Sequence, residues 1–174
     1  MDFKLKRHLL LAASLMLVSL GAFGQATPEY RVKAGFLYNF IAFTEWPQRV
    51  GSPLPLCVYG ANQFGNELDA LEGKAVNGRN LTIRKPDSLD QLKSCRVLFV
   101  AGSAIGSLPR ILEVVRGEPV LIVADTNDAL DAGVSINMVL RQGKVAFEVN
   151  LPVTRRADLS LSSKLLRLAS EVRQ

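Results

Sequence analysis

Three short apolar runs, each stopped at a turn residue, constrain this chain more than any other feature. They are Leu56–Tyr59 before Gly60, Arg96–Ala101 before Gly102, and Val120–Ala124 before Asp125. A strand with one wet face alternates apolar and polar residues, whereas a strand covered on both faces reads as an unbroken apolar run. Helical stretches separate these runs, around Gln63–Leu71, over Asp87–Lys93 and over Leu108–Val115, and Asn77-Gly78 marks a turn before a further strand, Leu81–Arg84. Strands alternating with helices predict an α/β layer with a mainly parallel sheet.

The last third changes character. Val134–Leu140 and Lys144–Asn150 flank the short link Arg141-Gln142-Gly143, which predicts an antiparallel hairpin. In its second strand Val145, Phe147 and Val149 share one face, and Glu148 and Asn150 share the other. Ser162 then offers a cap for a C-terminal helix bearing Leu165, Leu168, Ala169 and Val172 on one side. Upstream, Thr27 can cap a helix that Pro28 and Glu29 suit in its first turn. That helix carries Val32, Phe36, Phe40 and Phe43 as an apolar stripe, with Leu37 and Ile41 beside it, and Pro47 ends it at Trp46. The expected fold is one compact α/β domain: a mainly parallel sheet with a C-terminal antiparallel hairpin, flanked by helices.

The start of the chain predicts where this domain works. Lys4, Lys6 and Arg7 precede the apolar run Leu9–Leu20, and the small residues Gly21 to Ala26 follow, broken only by Phe23 and Gln25. This is the layout of a secretory signal peptide, residues 1–24, with cleavage after Gly24 or after Ala26. The run falls well short of the roughly 20 apolar residues that span a bilayer. Cleavage leaves 25–174 as the exported domain and removes His8, the chain's one histidine. Triads built on an imidazole base then have no candidate, and neither do histidine-based zinc sites. Catalytic, cofactor-binding and metal-ligating residues are accordingly expected to number none. The formal net charge of +5 comes from scattered basic residues without a stripe, so nucleic acid is not an expected partner.

Cys57 and Cys95 lie 38 positions apart, and an oxidising compartment favours their pairing. Two buried free thiols in adjacent strands are the alternative. Other candidates each have a plain reading beside the functional one. Gly102–Ser107 follows a strand, where phosphate loops sit, yet it matches neither phosphate-binding glycine pattern and reads as a turn. Asp125, near Asp128 and Asp131, stands where carboxylates act in parallel sheets, but the segment also reads as a solvated turn. Arg155-Arg156 can clamp an anion or a partner's carboxylates, or be two solvated charges. Glu148 and Asn150 either face solvent or satisfy buried backbone groups.

Two segments are more specific: Glu29 to Pro47, EYRVKAGFLYNFIAFTEWP, and Phe147 to Ala169, with FEVNL followed by RRADLSLSSKLLRLA. With Cys57-Val58, Gly73-Lys74, Gly78-Arg79 and Cys95 to Phe99 between them, they closely resemble the YfiR-like family of bacterial periplasmic proteins. The resemblance covers nearly all of 25–174. It implies a compact, often dimeric α/β domain without chemistry of its own, which represses an inner-membrane diguanylate cyclase by binding its periplasmic domain. It further implies an outer-membrane lipoprotein as a sequestering partner. Cys57 and Cys95 match one disulfide position of the family. A second cysteine pair found there is absent here, which favours a structural bridge over a redox switch. The family's partner-binding residues correspond to Leu159, Leu161 and Leu166 together with Arg155 and Arg156, all equally explicable as packing or solvated residues. Leu166, off the helix's main stripe, is the expected exposed contact. The competing expectation is a periplasmic small-ligand-binding accessory protein, which requires a concave pocket with polar groups such as Arg155, Arg156 and Asn150.

Overall fold

The computed structural model describes residues 27–174. The expected leader, 1–24, and its cleavage sites lie outside the described residues. The expected apolar runs become the centre of an eight-stranded sheet. In chain order its strands are β2 (Leu54–Tyr59), β3 (Ala75–Val76), β4 (Arg79–Arg84), β5 (Val97–Val100), β6 (Leu121–Ala124), β7 (Ile136–Arg141), β8 (Lys144–Asn150) and β10 (Glu171–Arg173). They lie side by side as β10-β8-β7-β6-β5-β2-β4-β3. The five central strands, β4-β2-β5-β6-β7, run parallel. β3 and β8 are antiparallel to their inner neighbours β4 and β7. The sheet is therefore mainly parallel with the expected C-terminal hairpin. Both hairpins turn tightly: Asn77 and Gly78, and Gln142 and Gly143, all adopt positive φ, as a two-residue primed turn demands.

Alternate residues of the central strands feed two cores. Leu56, Val58, Val97, Phe99, Leu121 and Val123 pack on one face with Leu37, Phe40 and Ile41 of α1 (Pro28–Ala42). Cys57, Leu98, Val100 and Ile122 pack on the other with Leu108 and Ile111 of α2 (Leu108–Val114) and Leu130 of α3 (Ala129–Ala132). Burial on both faces explains why these strands carry no polar side.

Several local expectations are corrected. Thr27 makes no side-chain cap, and Pro28 opens α1. α1 stops at Ala42 rather than at Trp46. The Thr44 hydroxyl donates to the Phe40 carbonyl at 2.6 Å, and the backbone leaves to pair β1 (Thr44–Glu45) with β9 (Ser160–Leu161). Gln63–Leu71 is a run of turns closed by the short 3-10 helix Asp69–Leu71, whereas the short helix expected over Asp87–Lys93 is present as the 3-10 helix Asp90–Ser94. After the helix α4 (Leu151–Arg156), the C-terminal helix is reduced to α5 (Ser163–Leu166), although Ser162 does accept from the Leu165 N–H at 3.3 Å. Leu168 is exposed, and Val172 belongs to β10, which runs parallel to β8 with Val172 opposite Val149. The outer edge of β8 presents unpaired peptide groups, and β10 satisfies them where a longer helix would leave them open.

Candidate functional site

In an open parallel sheet ligands bind beyond the carboxyl ends of the strands, where the strand order reverses. Here the chain passes from β2 to β4 on one side and then crosses to β5 on the other, so the reversal falls between β2 and β5. The loops leaving these strands close on each other. The Ala61 N–H donates to the Ser103 hydroxyl at 2.8 Å. Gly60, at φ +99°, lies so close that an added Cβ would stand 2.8 Å from the Ser103 Oγ. Glycine is required there for both conformation and space. Gly102–Ser107 is thus a 3-10 helix packed against the neighbouring loop.

The first turn of α1 covers what remains. Lys33 is 4% exposed, and its ammonium donates to Asp125 Oδ2 at 2.6 Å. The Tyr30 hydroxyl donates to the same oxygen at 2.7 Å and also reaches Gln63. Glu29, one helical turn back, pairs with Lys33 as well. The Tyr30 ring lies 4.4 Å below the ammonium and packs edge-on against Phe64 at 5.1 Å; Phe64 in turn meets Phe99 of β5 at 4.8 Å. Burial and the Asp125 carboxylate together push the Tyr30 phenol well above its usual range. The Asp125 side chain is therefore buried and paired, which corrects the solvated-turn reading.

The other acidic candidates separate from it. Asp128 is exposed at φ +60°, and Asp131 pairs with Arg173. Glu148 pairs with Arg141 at 2.6 Å. Asn150 caps α4 by accepting from the Val153 N–H at 3.2 Å, and its amide donates to the Leu130 carbonyl at 3.3 Å. Among the described residues, no group of three or more His, Cys, Asp or Glu is placed to hold a metal ion, and no helix is long and apolar enough to cross a membrane. Cys57 and Cys95 form a disulfide across a Cα separation of 5.9 Å, wholly inside the second core.

The C-terminal candidates divide by burial. Leu159 and Leu161 are core residues at 4% and 9% exposure. Leu166, expected to be exposed, is half-buried and packs against the same core. Arg155 and Arg156 are exposed on the last turn of α4. Arg156 lines a shallow groove of about 340 Å³ whose floor is apolar and which also takes in Arg116 and Glu118. Sequence reasoning missed Lys33 and Tyr30 as partners of Asp125. The available signal was Lys33 standing one turn before Leu37, on the helix face that is in fact buried.

Solved structures share the fold, two of them as follows. One is described as a conserved domain protein from Vibrio cholerae O1 biovar eltor, with a TM-score of 0.57 and 6% identity over 86% of this chain and 61% of that one. The other is described as the ABC domain in complex with L-Trp from Streptococcus pneumonia, with a TM-score of 0.52 and 11% identity over 83% and 60%. The chain thus spans about three fifths of the length of either. None of the curated proteins matches it in sequence. The YfiR/HmsC-like family matches residues 30–170, which include the α1 cluster, the disulfide and α4, and the chain belongs to that family.

Proposed function

We propose that this protein is a periplasmic signalling regulator that inhibits an inner-membrane diguanylate cyclase, or a similar membrane sensor, by protein–protein contact, thereby lowering cyclic di-GMP. The observation that carries the reading is the family match over residues 30–170, since the family is one of periplasmic regulators of such cyclases. The disulfide buried in the second core is in keeping with an exported domain. The crevice between β2 and β5 is packed with the chain's own loops and aromatic rings, which favours action at the surface over chemistry in a cleft. In this reading the leader, 1–24, directs export and is removed.

The physical logic is a population shift: binding one conformation of the cyclase's periplasmic domain holds the catalytic domains apart from their active arrangement. Arg155 and Arg156 belong to the proposed contact surface. Leu159, Leu161 and Leu166 support it from beneath by fixing the turn after α4. An outer-membrane lipoprotein that competes for the chain would relieve inhibition, and a second copy is a further proposed partner. Titrating the purified chain onto the periplasmic domains of the host's membrane cyclases tests the reading. Saturable binding to at least one domain is expected; binding to none of them would contradict it.

A further inference from the structure

The groove beside α4 has a chemistry that none of its neighbours needs. Its floor is made by Leu112 and Val115 from the α2 region, Val120 before β6, and Val153 of α4. Gly133 also lines the groove, and a Cβ added there would stand 3.1 Å from Leu112 Cδ1. Two arginines line it, Arg116 and Arg156, and both are exposed. Neither has a carboxylate within ion-pair distance among the described residues, and neither does the adjacent Arg155. The only carboxylate in the groove, Glu118, stands 3.6 Å from Arg96. An apolar floor rimmed by unpaired arginines is complementary to an apolar side chain flanked by carboxylates.

We infer that this groove is a docking site for an acidic segment of a protein partner, which inserts one apolar side chain between Arg116 and Arg156. The inference deepens the proposed contact mechanism by naming the surface and the chemistry of the segment it takes. Arginine is suited to the rim, because its planar fork holds carboxylates in two directions while its stem adds apolar cover.

The test uses two probes on the full exported domain. The first is a capped peptide with one leucine between aspartates and glutamates, compared with the same peptide carrying lysines. Methyl-detected NMR is expected to show shifts at Leu112, Val115, Val120 and Val153 with the acidic peptide alone. The double variant Arg116→Glu/Arg156→Glu, at two exposed positions, should weaken that binding about tenfold or more. Absence of shifts at these methyls, or equal shifts with the lysine peptide, would overturn the docking site. So would binding of N-acetyl-leucine alone as tightly as the peptide, which would make the groove a small-ligand pocket. The second probe is the cyclase's periplasmic domain. If the wild type binds it and the double variant binds it equally well, the groove assignment fails while the proposed function stands. If no such domain binds yet the acidic peptide still does, the function fails and the groove stands.

Discussion

Asp125 shows at the scale of one residue how the chain turns a surface-like motif into a lock. Its Oδ2 accepts from both Lys33 and Tyr30, and the Lys33 and Asp125 side chains are only 5% and 3% exposed. Removing Asp125 leaves the buried Lys33 side chain with Glu29 as its remaining carboxylate partner and deprives the Tyr30 hydroxyl of its acceptor there. Asp125→Ala should therefore lower the unfolding free energy by about 1–3 kcal/mol, while the apolar double replacement Lys33→Met/Asp125→Leu should recover most of that loss. Denaturant titration of the three proteins checks this, and equal midpoints for wild type and Asp125→Ala would refute it. Tyr30 adds a pH signature. Its phenol is raised above the unfolded value near 10, so its contribution is complete below that pH and is lost as pH rises from there through the folded value. Tyr30→Phe should flatten part of the alkaline fall in stability that the wild type shows. The sequence made this residue cluster hard to read, because Lys33 and Asp125 lie 92 positions apart. A lysine in a helix and an aspartate after a strand each look solvated until tertiary structure brings them together.

At the scale of elements, legibility follows how strongly burial dictates a segment. The apolar runs that became β2, β5 and β6 were readable because both faces of each must be covered, which leaves no other use for such residues. The C-terminal hairpin was readable from the Gly143 link and the turn before β4 from Asn77-Gly78, since glycine and asparagine tolerate the positive φ these turns take, whereas the short strand β3 that makes Asn77-Gly78 a second hairpin was not. The connections were not. Gln63–Leu71 carries apolar residues at helical spacing, yet Phe64 and Leu68 are held in the core through turns. The C-terminal helix failed for a related reason: the open edge of β8 competes for Glu171–Arg173 and wins by forming backbone hydrogen bonds. Of the candidate site residues, the arginines fell on the surface as their charge demands, whereas the leucines could not be assigned to core or contact from spacing alone. Two element-level expectations follow. Replacing both cysteines by alanine should cost up to about 4 kcal/mol, the value of closing the loop between them, with the sheet retained. Calorimetry alongside circular dichroism would show it, and an unchanged melting temperature would argue that the bridge contributes nothing. Asn150→Ala should cost about 1–2 kcal/mol, because it opens the cap of α4 and frees the Leu130 carbonyl.

The whole molecule is an α/β sheet whose usual ligand crevice has been filled from within. Loops after β2 and β5 meet at Gly60 and Ser103, and α1 seals the ends of the strands through Lys33 and through Tyr30, whose ring packs on Phe64 of the loop after β2. What the domain still offers is surface: an apolar groove with unpaired arginines beside α4. A protein of this shape, placed outside the inner membrane, can influence a cytoplasmic second messenger only by touching something that crosses it. Cyclic di-GMP in a strain lacking the gene tests this most directly, with rescue by the full chain and by a chain starting after residue 24. A rise is expected on deletion, with a return to the wild-type level from the full chain and no return from the chain without residues 1–24. An unchanged level on deletion, or rescue by that shorter chain, would contradict the proposed function.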